Sequence, residues 1–262
     1  MSHVIAISNQ KGGVAKTTTA VNLAACLGAA GHPTLLVDLD PQANATSACG
    51  MDVNNLESTV YDALLDSVKP TLYDFQDAIP NLSILPASMD LAGAELELLN
   101  LEGREFRLRR MLQDLQTQFH YIIIDCPPSL GLLTLNALVA AQGVIIPVQA
   151  EYLALEGLSR MVLTIHRINR GQNPDLKLLG ILTTMYDGRT NLANQVLDEL
   201  RRTFQDKLFK TLIPRSIRLS EAPSFGKPII YYDNRSIGAE QYQRLCQEVL
   251  HVCEETSPGT GT

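Results

Sequence analysis

The sequence predicts an α/β fold, a single-domain, doubly wound and mostly parallel sheet with helices on both faces. Three observations predict it. Apolar β-type runs alternate with segments of helical period along all 262 residues, the pattern of strand–helix–strand units. Several runs are apolar at consecutive positions, as in Leu35-Leu36-Val37, Ile122-Ile123-Ile124 and Val144-Ile145-Ile146, which suits parallel strands covered on both faces. No break rich in Gly, Pro or Ser divides the chain, and its length suits one substantial domain.

In chain order, strands are expected at 4–8, 34–39, 82–86, 121–125, 143–148 and 178–184. Between the first two, Ala20, Leu23, Ala24 and Leu27 share one helix face before Gly31 offers a stop. The last helix is expected at 239–255. The domain is placed at 1–256, and the tail 257–262, Ser-Pro-Gly-Thr-Gly-Thr, is expected to be disordered.

The five cysteines, Cys26, Cys49, Cys126, Cys246 and Cys253, are widely spaced and form no C-x-x-C pair. They read as free thiols of a reducing cytoplasm rather than a disulfide frame or zinc site. The amino terminus has no basic region before its apolar run, so it reads as a strand rather than a signal peptide. The longest apolar stretch, 130–150, is interrupted by Asn136, Gln142, Gly143 and Pro147, which predicts a soluble chain. The net charge of −7 hides an asymmetry: residues 160–235 hold 13 Lys/Arg against 7 Asp/Glu. Overall acidity therefore does not exclude a polyanionic partner.

The chemistry begins after the first strand, in Asn9-Gln10-Lys11-Gly12-Gly13-Val14-Ala15-Lys16-Thr17. Gly12 and Gly13 let the backbone turn sharply and aim N–H groups at phosphate oxygens. The helix that follows adds the positive end of its dipole. Lys16 is placed to bridge the β- and γ-phosphates of a nucleotide and the Thr17 hydroxyl to ligate Mg²⁺. The usual phosphate-loop pattern fails at both outer glycines, where Gln10 and Ala15 stand. Further on, Asp38 and Asp40 at i and i+2 share one side of a strand end, where ligands of open α/β sheets bind. The strand 121–125 ends in Asp125, a Walker B form, so Asp125 is placed to hold Mg²⁺ through water.

Lys11, Gly12, Gly13, Lys16 and Thr17 match the deviant Walker A signature K-G-G-x-x-K-[ST]. Together with Asp38-Leu39-Asp40-Pro41-Gln42, with Pro127-Pro128-Ser129 after Asp125, and with the segments 183–191 and 213–228, they make the chain resemble the ParA/Soj family of chromosome-partitioning P-loop ATPases, of the shorter, chromosomal Soj-like type. The resemblance runs from Val4 to the last helix. It implies ATP and Mg²⁺ as cofactors, held by Lys11, Gly12, Gly13, Val14, Ala15, Lys16, Thr17 and Thr18, with Met185 and Pro214 flanking adenine. It makes Lys11, Lys16 and Asp40 the catalytic set: Lys11 reaches across a nucleotide-sandwich homodimer and Asp40 orients the attacking water. Metal-site residues are Thr17, Asp38, Asp40 and Asp125. Arg189 and Arg218 match positions that the family uses on the DNA backbone, and Lys227 and Arg235 extend that patch. The family usually has Gly where this chain has Ala15, which resists positive φ, so loop geometry or nucleotide exchange is expected to be altered.

The partners implied are a second copy of the chain, non-specific double-stranded DNA and a ParB-type (Spo0J-like) centromere-binding protein that stimulates hydrolysis, with the protein cytoplasmic and nucleoid-associated. A MinD-like membrane ATPase needs a basic amphipathic helix at the carboxyl end. Here 239–255 carries Glu240, Glu248, Glu254 and Glu255 against Arg244, so no membrane is expected. A nitrogenase-type iron protein needs paired cluster cysteines, and Cys126 has no evident partner.

Overall fold

The computed structural model describes residues 2–65, 69–75, 78–151 and 154–256. The expected tail 257–262 lies outside them. Eight strands form one sheet: β1 (His3–Ile7), β2 (Thr34–Asp38), β3 (Tyr73–Asp74), β4 (Leu82–Leu85), β5 (Tyr121–Asp125), β6 (Gly143–Gln149), β7 (Lys177–Tyr186) and β8 (Leu208–Pro214). Their order is β3-β4-β2-β5-β1-β6-β7-β8, and every pair is parallel except β3 with β4.

The consecutive apolar runs have the predicted cause. Val4, Ala6, Leu35, Val37, Ile122 and Ile124 point into one core, beneath helices that include Leu132–Ala140 and Ala154–Arg170. Their neighbours Ile5, Ile7, Leu36 and Ile123 point into the other, beneath α1 (Lys16–Ala29) and Ile237–Thr256. Each strand therefore feeds both faces, and polar side chains are left to the strand ends. Six strands were expected and all are present with ends shifted by two residues or fewer. Two strands were not foreseen, β3 and β8. Both are edges: β3 is two residues long, and β8 buries only alternate residues, Phe209, Thr211 and Ile213, so neither is a continuous apolar run.

Helix α1 stops as expected, with Gly31 at φ +88° and its N–H on the Gly28 carbonyl at 2.9 Å. The last helix buries Ala239, Tyr242, Leu245, Cys246, Val249 and Cys253, so its apolar face belongs to the core. Among the described residues no helix is long and apolar enough to cross a membrane. All five cysteines are free and buried.

The helix that follows β2, α2 (Asn44–Ala48), ends at Gly50. There the backbone meets Gly226: both glycines have positive φ, +86° and +60°, and a Cβ on Gly226 would sit 2.5 Å from the Gly50 Cα. This contact docks the segment 217–228 against the turn that closes α2, the helix that follows the Asp40 loop. Gly226→Ala is expected to cost about 2 kcal/mol from overpacking, lowering the melting temperature by about 4–8 °C. An unchanged melting temperature would contradict the close approach.

Candidate functional site

The register of the sheet assembles the site. Asp125 at the end of β5 pairs in register with Asp38 of β2 on one side and Ile7 of β1 on the other. The phosphate loop leaves β1 at that level and closes with α1. Three strands that are far apart in sequence thus deliver Asp38, Asp125 and the loop to one point, at the carboxyl end where open α/β sheets bind ligands.

The loop is held by hydrogen bonds to two other strands and by a local turn. Asn9 donates its Nδ2 to the Pro147 carbonyl of β6 at 2.7 Å and accepts the Lys11 N–H at 3.0 Å. Thr184, at the end of β7, donates its hydroxyl to the Val14 carbonyl at 3.1 Å. Gly13 sits at φ +72° and Ala15 at φ +62°, ψ +36°. Ala15 therefore takes the left-handed conformation that glycine takes more easily, at a cost of about 1–2 kcal/mol. The strain is stored in the loop.

Both signature lysines are engaged within the chain. Lys16 is buried, and its Nζ donates to the Lys11 carbonyl at 3.1 Å. Burial pulls its pKa below the ordinary lysine value, against the opposing charges of Asp125, Cys126 and Asp40. Lys11 Nζ forms an ion pair with Glu151 Oε2 at 2.8 Å.

The carboxylates differ sharply in how they are satisfied. Asp38 is fully buried yet well held: Oδ2 accepts the Thr46 N–H at 2.8 Å and its hydroxyl at 2.7 Å, and Oδ1 accepts the Asp40 N–H at 3.2 Å. Asp40 is almost buried and accepts the Gln42 N–H at 3.0 Å. Asp125 is fully buried and neither oxygen has a hydrogen-bond partner. Burial first, then the charges of Asp38 and Asp40, push its carboxyl well above the usual range. The nearby Thr17 hydroxyl and Lys16 only soften this, and the Thr17 contact falls short of hydrogen-bond geometry. An orphaned buried carboxylate calls for a cation or a proton. Among the described residues no three His, Cys, Asp or Glu side chains form a metal cage. That fits a Mg²⁺ site completed by phosphate and water.

A cavity of about 600 Å³ opens beside the loop, lined by Ala15, Thr18, Met185, Pro214, Arg215 and Tyr242 among others. It brings together four residues expected to bind nucleotide, and its size suits a base and sugar. A larger opening of about 730 Å³ lies at the other end of the strands, against His3, Gln142 and Lys177, and contains none of the candidate residues.

The four cations expected on DNA fall in two groups. Arg189 lies in the turn after β7 and is exposed, with Nε and Nη2 on Asp187 at 2.8 and 2.6 Å. That pairing, assisted by Arg215, holds the Asp187 carboxyl down at about 2. Arg218 contacts Glu221 at 3.1 Å and Asp233 at 3.5 Å, and Lys227 and Arg235 are exposed nearby in sequence. The two groups come from adjacent strand exits, since Tyr186 of β7 pairs with Pro214 of β8. Arg215 joins these exits, its N–H on the Tyr186 carbonyl at 3.4 Å; it was not singled out from the sequence. Nor were Asn9, Thr46 and Glu151, whose partners lie 138, 8 and 140 residues away and leave no local signal.

Comparison with known proteins agrees with this geometry. A family model described as an AAA domain matches residues 2–178. The chain is 53% identical over 260 residues to the chromosome partitioning protein ParA of Myxococcus xanthus, covering 98% of this chain and 91% of that protein. It is 54% identical over 249 residues to the sporulation initiation inhibitor protein Soj of Bacillus subtilis, covering 95% and 98%. A solved structure named cobyrinic acid a,c-diamide synthase from Mycobacterium smegmatis, with bound ATP analog and magnesium, superposes with a TM-score of 0.84 at 40% identity, covering 97% and 96%.

A carboxyl whose pKa is raised by folding binds protons more tightly in the folded state. Its contribution to stability therefore falls as pH rises from about 4, the unfolded value, towards the folded one. Without nucleotide or Mg²⁺, Asp125→Asn is expected to gain melting temperature relative to the parent as pH rises through that window, by about 2–4 °C per kcal/mol relieved. Parallel melting curves at every pH would rule out the buried charge at Asp125.

Proposed function

The chain belongs to the ParA/Soj family of chromosome-partitioning ATPases, and we propose that it is an ATP-operated switch that grips DNA as a dimer and lets go on hydrolysis. It is an ATPase, converting ATP to ADP and phosphate. One observation carries the assignment of its site: the unpartnered, buried Asp125 carboxylate beside Lys16 and Thr17 at the mouth of the phosphate loop.

In this reading the loop N–H groups from Gly12 to Thr18 receive the phosphates of ATP, and Lys16 exchanges the Lys11 carbonyl for β- and γ-phosphate oxygens. Thr17 and Asp125 would hold Mg²⁺, which when bound neutralises charge on the phosphates. Asp38 already has its hydrogen bonds made by protein and supports that shell from behind. Met185 and Pro214 flank the base in the 600 Å³ cavity. Asp40 orients the attacking water. Lys11 leaves Glu151 and reaches the phosphates bound by a second copy, supplying charge in trans as an arginine finger does. ATP thus closes a homodimer around two nucleotides.

DNA is bound without base reading, because the candidate contacts are cations placed for phosphates. Arg189 and Arg218 must exchange Asp187, Glu221 and Asp233 for DNA phosphate, so binding is reversible, as cycling on a cytoplasmic nucleoid requires. A ParB-type partner stimulates hydrolysis and release. The diamide-synthase name of the structural relative is outweighed by the higher identity, 53–54%, to partitioning proteins.

Asp40→Ala is expected to bind ATP, stay dimeric and remain on DNA, while Lys16→Ala loses ATP binding; equilibrium nucleotide binding and size-exclusion chromatography check both. DNA affinity is expected with ATP and to be absent with ADP or no nucleotide. With two arginines from each subunit on phosphates, affinity should fall about 10²-fold between 50 and 200 mM salt. Unchanged affinity in an Arg189→Glu, Arg218→Glu double variant would refute this surface.

A further inference from the structure

Thr46 lies outside the phosphate loop and both carboxylate segments, yet it is fully buried and its hydroxyl makes two directed hydrogen bonds. Oγ1 donates to Asp38 Oδ2 at 2.7 Å and accepts the Ala87 N–H at 3.0 Å, while the Thr46 N–H donates to the same Asp38 oxygen at 2.8 Å. The other Asp38 oxygen accepts the Asp40 N–H. One hydroxyl therefore ties α2 to the exit of β4 and, through Asp38, to the backbone of the residue placed on the attacking water. Serine could make the same bonds, whereas valine fills the space and makes neither.

We propose that Thr46 is a positioning residue for hydrolysis, fixing the Asp38 carboxylate so that the Asp40 loop is held in register with the phosphate site. The proposal rests on the ATPase reading above and adds a residue to it. The loop between Asp38 and Thr46 is short, and among the described residues the hydrogen bonds of Asp40 are its N–H on Asp38 and the turn that it forms with Gln42 and Ala43. Without the Thr46 hydroxyl, Asp38 Oδ2 loses one of its two donors and is free to turn, Ala87 N–H loses its acceptor, and Asp40 is released from one fixed place. Nucleotide affinity lies with the phosphate loop and the base cavity, which Thr46 does not touch. The loss therefore falls on kcat and leaves binding unchanged.

The test compares Thr46→Val and Thr46→Ser with the parent, measuring kcat and KM for ATP hydrolysis with saturating Mg²⁺ and, separately, equilibrium binding of a fluorescent ATP analogue. Thr46→Val is expected to lose about 10- to 100-fold in kcat, the usual size of such supporting contacts, with analogue affinity within about 2-fold; Thr46→Ser restores most of the rate. Parental kcat in the valine variant, or a serine variant as slow as the valine one, overturns the proposal. Should Thr46→Val not fold, Thr46→Ala is measured in its place, and failure of both to fold assigns Thr46 to stability and overturns it as well. A parent that binds no ATP analogue sinks the ATPase reading instead, a separate result.

Discussion

Too much negative charge is buried at the carboxyl end of the central strands. Asp38 and Asp125 face each other in register with no exposure, Asp40 adds a third carboxylate, and the nearby cation is the buried Lys16. Burying an uncompensated carboxylate costs several kcal/mol even after relaxation. The protein meets this unequally: Asp38 is surrounded by donors, and Asp125 is given none. Everything else about the site follows from that inequality. The loop is clamped by Asn9 and Thr184, and the Asp40 turn is roofed by α2. The unpartnered Asp125 carboxylate lies near Lys16 and Thr17.

The cations show the complementary pattern. Lys16 rests on a carbonyl, Lys11 on Glu151, Arg189 on Asp187, and Arg218 on Glu221 and Asp233. Each of these side chains is assigned to a polyanion, nucleotide or DNA, and each has an internal substitute in the isolated chain. The pairs of Lys11, Arg189 and Arg218 are exposed to water, where such pairs are weak. Under the proposed function, association would be an exchange of partners rather than the capture of bare charge. The Gly50–Gly226 contact packs the Arg218 segment against the far end of α2, the helix that follows the Asp40 loop.

Much of this was legible in the sequence, for identifiable reasons. Strands buried on both faces announce themselves as unbroken apolar runs, so β1, β2, β5 and β6 could be placed to within a residue. The edge strand β8 could not, since it buries every second residue and its Lys210 interrupts the run. The phosphate loop and the Asp125 strand were recognisable because their chemistry is local: glycines, lysine, hydroxyl and carboxylate must stand at fixed spacing. Glu151 was not, because an ion pair between distant segments imposes no spacing on the chain, and Thr46 was not, because its bond to Asp38 eight residues away follows no motif spacing. The left-handed Ala15 illustrates a third case. The sequence showed the residue and its cost, and only the backbone showed that Ala15 takes the left-handed conformation and carries the strain.

The central claim is that the Asp125 carboxyl, lacking any donor, waits for a divalent cation brought with the nucleotide. Calorimetric titration with Mg²⁺ and a non-hydrolysable ATP analogue, in two buffers of different ionisation enthalpy, tests it directly. Burial raises the Asp125 pKa and a bound cation would lower it, so binding is expected to release protons and the observed heat to differ between the buffers, with the difference lost in Asp125→Asn. Equal heats in the two buffers, or a difference that survives in the variant, would contradict the account.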